Sequence, residues 1–268
     1  MGSVLVMAMG SSCAYAADVQ GQSAPVTEPD RWIVTLGASM EYGPNHPGSR
    51  HNGISGMPSF DVRRYGEAPE NSAPDDSLDY GLFDFHGFQM GPVVNMRDNR
   101  SSSESNGLNG VHRIQTSLDA GVFLQYWAIP NQLRFRSEIR EALSNGSGLV
   151  VDVSSDWFQP VGDRWILSVG PRVSFGSAAY MHEYFSISPA ESAANGTLSA
   201  YDAGAGLKSV GAMLSASYAL TPDWSVTLYD RFDRLVGDAA SSPVTAKIGT
   251  PNQNIVGISL SKEFTVSF

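Results

Sequence analysis

Over most of this chain apolar and polar residues take turns, and outside the amino terminus no stretch supplies the roughly 18 consecutive apolar residues that a membrane helix needs. The pattern is plainest from Gln253 to Phe268, where Val256, Ile258, Leu260 and Phe264 alternate with Gly257, Ser259, Ser261 and Glu263. A period of two describes a strand with one apolar face. In a closed barrel such a final strand pairs with the first, so no backbone edge is left bare.

The same alternation recurs along the chain. Trp32, Val34, Leu36, Ala38, Met40 and Tyr42 share a parity in the first strand, and Phe60 and Val62 suggest a short second one. Further strands read from Phe88 to Arg97, Gln115 to Tyr126, Leu133 to Leu143, Leu149 to Trp157, Trp165 to Gly176, Ser209 to Leu220 and from Trp224. The segment Glu67 to Asp79 is acidic and rich in proline; it reads as a turn, an inward-folded segment or the start of an extra strand pair. The total is about ten strands, or twelve if the Leu78 to Phe85 region contributes a pair. The expected fold is therefore all-β: a transmembrane antiparallel up-and-down β-barrel over residues 31–268.

Composition agrees. Charged residues are 16%, below the usual quarter, and the 27 glycines suit turns and close strand packing. A formal net charge of -10 argues against a nucleic-acid partner, whose phosphates demand a basic face. Residues 1–16 read as an export signal, with a short apolar run and Ala14-Tyr15-Ala16 before the cut. Residues 17–30 read as a polar periplasmic linker. Cys13, the one cysteine, would leave with the signal, so no disulfide framework or thiolate metal site is expected.

Short connections alternate with mostly longer ones, as expected of an outer-membrane barrel with tight turns on the periplasmic side. Trp32, Trp127, Trp157, Trp165 and Trp224 all fall at strand ends beside the short connections, which predicts a periplasmic aromatic girdle. In the hairpin that follows, Arg134, Arg136, Glu138 and Arg140 share one face with Asp152, Ser154 and Asp156 on the next strand. Opposed residues share a face, so the loop has an odd length. A three-residue Asn145-Gly146-Ser147 loop sets Arg140 against Asp152 and Arg136 against Asp156, and these two ion pairs are expected inside the barrel.

No nucleophile elbow, phosphate loop, dinucleotide fingerprint, zincin pair or paired-cysteine motif occurs. His46 and His51 are best read as solvated loop histidines, and His182-Glu183 lacks a second histidine for zinc. Asp75-Asp76 reads as a solvated acidic loop before it reads as an acid/base pair. No catalytic residue, cofactor site or metal site is expected. The inward arginines, Arg172 among them, are read first as lumen filling and second as an anion filter.

Several ordered phrases resemble the MipA/OmpV family of outer-membrane proteins: Tyr180-Met181-His182-Glu183-Tyr184-Phe185-Ser186-Ile187-Ser188, Ala200-Tyr201-Asp202-Ala203-Gly204-Ala205-Gly206-Leu207-Lys208, Gly237-Asp238-Ala239-Ala240-Ser241-Ser242-Pro243-Val244 and Gly249-Thr250-Pro251-Asn252-Gln253. The resemblance implies a barrel in the Gram-negative outer membrane without catalytic activity. It also implies a scaffold role: one member is described as joining a murein-degrading lytic transglycosylase to a bifunctional murein synthase. The expected partners are thus outer-membrane lipid, a periplasmic murein hydrolase and a murein synthase, with the periplasmic turns and Glu67 to Asp79 as docking surfaces. The competing expectation is a narrow porin-like channel for small solutes, and a weaker one is a hydrolase using loop carboxylates and His182.

Overall fold

The computed structural model describes residues 31–97, 99–100, 106–143 and 148–267. The expected signal (1–16), linker (17–30) and Asn145-Gly146-Ser147 loop lie outside the described residues. Twelve strands form one sheet: β1 (Arg31–Pro44), β2 (Asn52–Arg64), β3 (Leu78–Asp79), β4 (Phe83–Phe85), β5 (Phe88–Arg97), β6 (Ser117–Ile129), β7 (Leu133–Ala142), β8 (Leu149–Val161), β9 (Trp165–Gly176), β10 (Gly206–Ala219), β11 (Trp224–Leu235) and β12 (Asn252–Ser267). Every ladder is antiparallel, and most connect neighbours in the chain. The seam predicted between last and first strands is present, running from Arg31 opposite Ser267 to Tyr42 opposite Val256.

The wall is inside out relative to a water-soluble protein. Leu214 and Ile258 are 55% and 46% exposed and point away from the barrel, whereas Arg134 and Asp156, on the inner face, are 2% and 1% exposed. A face of this kind avoids the cost of exposed hydrocarbon only when lipid covers it. Strands of ten to sixteen residues, tilted as barrels require, are long enough for the roughly 30 Å of a bilayer core. No helix among the described residues is long and apolar enough to cross a membrane.

Two features of the wall depart from the sequence reading. The second strand is thirteen residues long and not short, because pairing with β1 holds Gly53, Gly56 and Pro58 extended where alternation alone is too weak to show it. The added pair β3 and β4 raises the count to twelve, but the two lie end to end along β5. Backbone bonds from Tyr80 to Pro92 (3.2 Å) and from Leu82 to Met90 (3.0 Å) continue that line. Gly91 makes room for it, since a Cβ there would sit 1.9 Å from the Tyr80 carbonyl oxygen.

The barrel is therefore eleven positions round. With an odd number, one pair of neighbours must run in the same direction, and that pair is β2 and β3, which lie side by side without a ladder between them. The barrel is nearly closed, with its one interruption here and not at the chain ends.

The long connections fold into a cap over the mouth opposite the short turns. α1 (Ala178–Phe185) and α2 (Pro189–Asn195) form within the β9–β10 connection, and α3 (Gly237–Ser241) and α4 (Pro243–Ala246) within the β11–β12 connection. Tyr180, Met181, Tyr184 and Phe185 of α1 pack with Ile114, Val150, Ala203, Leu235 and Ala239, and a second cluster joins Leu108, Ile187, Leu198 and Val244. The apolar spacing at 180, 181, 184 and 185 is helical, and it is the signal in the sequence for an element that otherwise reads as a long loop.

Candidate functional site

Inside the barrel, period two places Arg134, Arg136, Glu138 and Arg140 of β7 on the inner face, and β8, β9 and β11 add Asp152, Asp156, Arg172, Arg231 and Asp233. The register differs from the expected one by two residues. Glu138 stands opposite Asp152 and Arg134 opposite Asp156, while Arg140 faces Val150 and Arg136 faces Ser154. A slip of two leaves every side chain on its own face, so alternation cannot detect it. Arg140 still reaches Asp152 on the diagonal. Arg136 and Asp156 are not brought together: Asp156 is held by Arg134 (2.9 Å) and Arg172 (2.7 Å), and Arg136 turns to Asp79 (2.5 Å), Glu138 (2.8 Å) and Gln125 (2.9 Å).

The segment between β2 and β3 is the inward-folded one of the three alternatives, and it fills the lumen. Pro74 sits second in a tight turn closed by the Asp76 N–H donating to the Ala73 carbonyl (3.0 Å), with Asp76 Oδ2 accepting from the Ala73 N–H (2.9 Å). Its tip projects two carboxylates. Asp75 accepts from Arg172 through Nε (2.8 Å) and Nη2 (2.9 Å) and from Arg231 Nη1 (3.0 Å). Asp76 accepts from both Nη atoms of Arg134 (2.6 and 2.9 Å), with Arg136 Nε at 3.7 Å. Ser77 donates to Glu138 (2.6 Å), and Ala73 packs on Met213 and Tyr229. Asp75-Asp76 is thus no solvated loop. Two-pronged guanidinium–carboxylate contacts are among the strongest polar contacts a protein makes.

Nearer the rim of the short turns, Asn71 donates two hydrogen bonds to Asn131 of the β6–β7 turn (2.6 and 2.8 Å), and Glu70 accepts from Gln89 (2.7 Å) and from the Trp127 indole (3.3 Å). This corrects the girdle. Trp127 is 7% exposed and faces the lumen beside Phe158 and Arg134, because β6 turns its even-numbered residues to lipid. Position at a strand end gave the height of this residue and not its face. Trp157, Trp165 and Trp224 are exposed on the outward face at the end of the barrel that carries the short turns, and Trp32 shares the outward parity of β1.

The cap is locked by polar contacts of its own. Ser188 and Glu191 form a capping box at the start of α2, and Glu191 also accepts from His112 Nδ1 (2.7 Å) and the His112 N–H (2.8 Å). Burial pushes the Glu191 carboxyl up, but the bonds from His112 and Ser188 outweigh it and hold the group at about 2. Ser242 donates to the Phe185 carbonyl (2.6 Å), and Gln253 ties Gly48 and Thr250 together at the β1–β2 loop (3.1 and 2.7 Å). His46 is buried, not solvated, and burial lowers it to about 4. His51 is exposed, and His182 lies at the surface 3.5 Å from Asp202. Among the described residues no three His, Cys, Asp or Glu side chains are grouped to hold a metal ion.

The phrases that carry the family resemblance are therefore structural parts of the cap: α1, the turn bearing Ala203 and Gly204, α3 with α4, and the Gly249–Gln253 clamp. None of the curated proteins matches the chain. Among solved structures, an outer-membrane channel from Pseudomonas putida F1 aligns at 10% identity over 88% of this chain and 96% of its own, with a TM-score of 0.40. OmpT, an outer membrane protein of Vibrio cholerae, aligns at 8% identity over 90% and 100%, with a TM-score of 0.36. Neisserial surface protein A aligns at 9% identity over 87% and 97%, with a TM-score of 0.28. The family model described as MltA-interacting protein MipA matches residues 36–264, from within β1 to within β12 and across the whole cap and plug, and the chain belongs to that family.

Proposed function

We propose that this barrel is a non-enzymatic scaffold of the outer membrane, exported with residues 1–16 removed, whose periplasmic face gathers murein-remodelling enzymes, a hydrolase and a synthase. The observation that carries the reading is the lumen itself, filled at Ala73–Ser77 by a segment pinned to four arginines and roofed by a cap with its own apolar core. A barrel closed in this way offers partners its rims. The periplasmic rim carries the β6–β7, β8–β9 and β10–β11 turns and the stem Glu67–Glu70, whose residues are exposed. Ala73 to Ser77 are withdrawn into the wall, so the docking surface expected over Glu67 to Asp79 shrinks to its first half. The family is described as MltA-interacting, which supports a murein hydrolase as the partner class.

The test is capture: the detergent-solubilised barrel is immobilised and offered purified periplasmic murein hydrolases and synthases. Enrichment over an unrelated barrel that is lost when the stem is replaced by Gly/Ser supports the scaffold. Equal recovery on both barrels overturns it. The channel reading predicts conductance steps in planar bilayers from the unaltered protein, and the scaffold reading predicts none.

A further inference from the structure

Arginines from β7, β9 and β11 converge in the lumen on Asp75 and Asp76. On the inner faces of β7 to β11, six cations (Arg134, Arg136, Arg140, Arg172, Lys208 and Arg231) meet four carboxylates (Glu138, Asp152, Asp156 and Asp233). Asp79 of β3 adds a fifth carboxylate beside Arg136, but without Asp75 the wall leaves Arg172 only Asp156 and Arg231 only Asp233, and guanidinium groups short of counter-charge in a low-dielectric interior are costly. Asp75 and Asp76 supply further counter-charge to Arg134, Arg172 and Arg231, and they do so from a segment that is not part of the wall.

We propose that Arg134, Arg136, Arg172 and Arg231 form a binding site for a small dicarboxylate, which Asp75 and Asp76 occupy in cis while the plug is seated. The contacts are of the recognition type: two neighbouring carboxylates, one gripped in fork fashion by Arg172 and the other by Arg134, with Arg231 and Arg136 flanking them. Wall carboxylates behind the site aim the forks, Asp156 from between Arg134 and Arg172, Asp233 behind Arg231, and Glu138 behind Arg136.

The plug is built to be replaceable. From Gly66 to Ser77 it carries no Val, Leu, Ile, Met or aromatic residue, so apart from Ala73 on Met213 and Tyr229 its hold on the wall is polar. A ligand that reproduces the charges of Asp75 and Asp76 competes for the arginines that hold the plug's tip, while Glu70 and Asn71 keep their contacts at the rim. Neutral sugars and diamines do not. The inference shares the plug with the scaffold reading, but its test reads the lumen and the capture test reads the rim, so the two fail separately.

The probe is succinate, the readout exposure of the plug. In a Cys13→Ser background, Ala73→Cys places a thiol on a side chain that is buried while the plug is seated. Succinate is expected to speed labelling of this thiol by a membrane-impermeant reagent at least fivefold over sodium chloride of equal ionic strength, and putrescine is expected to leave the rate unchanged. Isothermal titration of the full-length Asp75→Asn/Asp76→Asn protein is expected to show succinate binding at least tenfold tighter than to the unaltered chain, lost again on Arg172→Gln. Equal labelling in succinate and chloride overturns the proposal, as does a folded Asp75→Asn/Asp76→Asn barrel that takes up no succinate. Should that double variant fail to fold, the labelling experiment decides alone.

Discussion

Arg172 and Asp75, 97 positions apart in the chain, meet in the lumen through two parallel hydrogen bonds of 2.8 and 2.9 Å. Arg172 also donates to Asp156, so one guanidinium joins the plug to the wall and one strand of the wall to the next.

Asp156 is the most enclosed carboxylate of the network, shared by Arg134 and Arg172. Asp156→Asn leaves two buried guanidinium groups short of one counter-charge, for which a loss of about 3–5 kcal/mol is expected. Urea unfolding of the barrel refolded into lipid, followed by its shift on an unheated gel, measures the loss. An effect within 0.5 kcal/mol, roughly that of a plain surface change, would contradict the placement.

Register is tested by cysteine pairing. Glu138→Cys with Asp152→Cys sets two thiols directly opposite and is expected to cross-link on mild oxidation, whereas Arg140→Cys with Asp152→Cys, two residues off, is not. Reversal of these yields would restore the register read from alternation.

Of the five tryptophans, Trp127 alone is assigned to the lumen. Single-tryptophan variants in bilayers carrying brominated acyl chains are expected to show strong quenching for Trp157, Trp165 and Trp224 and little for Trp127. Quenching of Trp127 to the level of Trp165 would return it to the girdle.

The cap is expected to loosen in acid in two windows. His46 is lowered by burial from 6.5 to about 4, so the stability it lends is full above pH 6.5 and is lost as pH falls toward 4. Glu191 is held at about 2 against an ordinary 4.5, so its contribution is full above pH 4.5 and is lost as pH falls toward 2. Hydrogen exchange across residues 177–205 and 236–251 as a function of pH reads both. His46→Gln is expected to flatten the upper window and Glu191→Gln the lower, and a pH-independent cap in the unaltered protein contradicts both assignments.

How much of this was legible beforehand follows from what each feature depends on. Whether Leu214 faces lipid or Arg134 faces the lumen is a matter of parity, set by the residue and its immediate neighbours, and so the barrel, its seam between β1 and β12 and the charged inner ladder could all be read from the chain. The helical spacing of Tyr180, Met181, Tyr184 and Phe185 was there to be read as well, but on a short amphipathic turn it signals a helix without saying what it covers. The partner of Asp156, the face of Trp127 and the seat of Asp75 depend on alignments between strands and on a segment folded back through the lumen. Such alignments cost the same in local preference whichever way they fall. Only the simultaneous need to neutralise buried arginines and to close an eleven-position wall selects among them, and that need exists only once the barrel has formed.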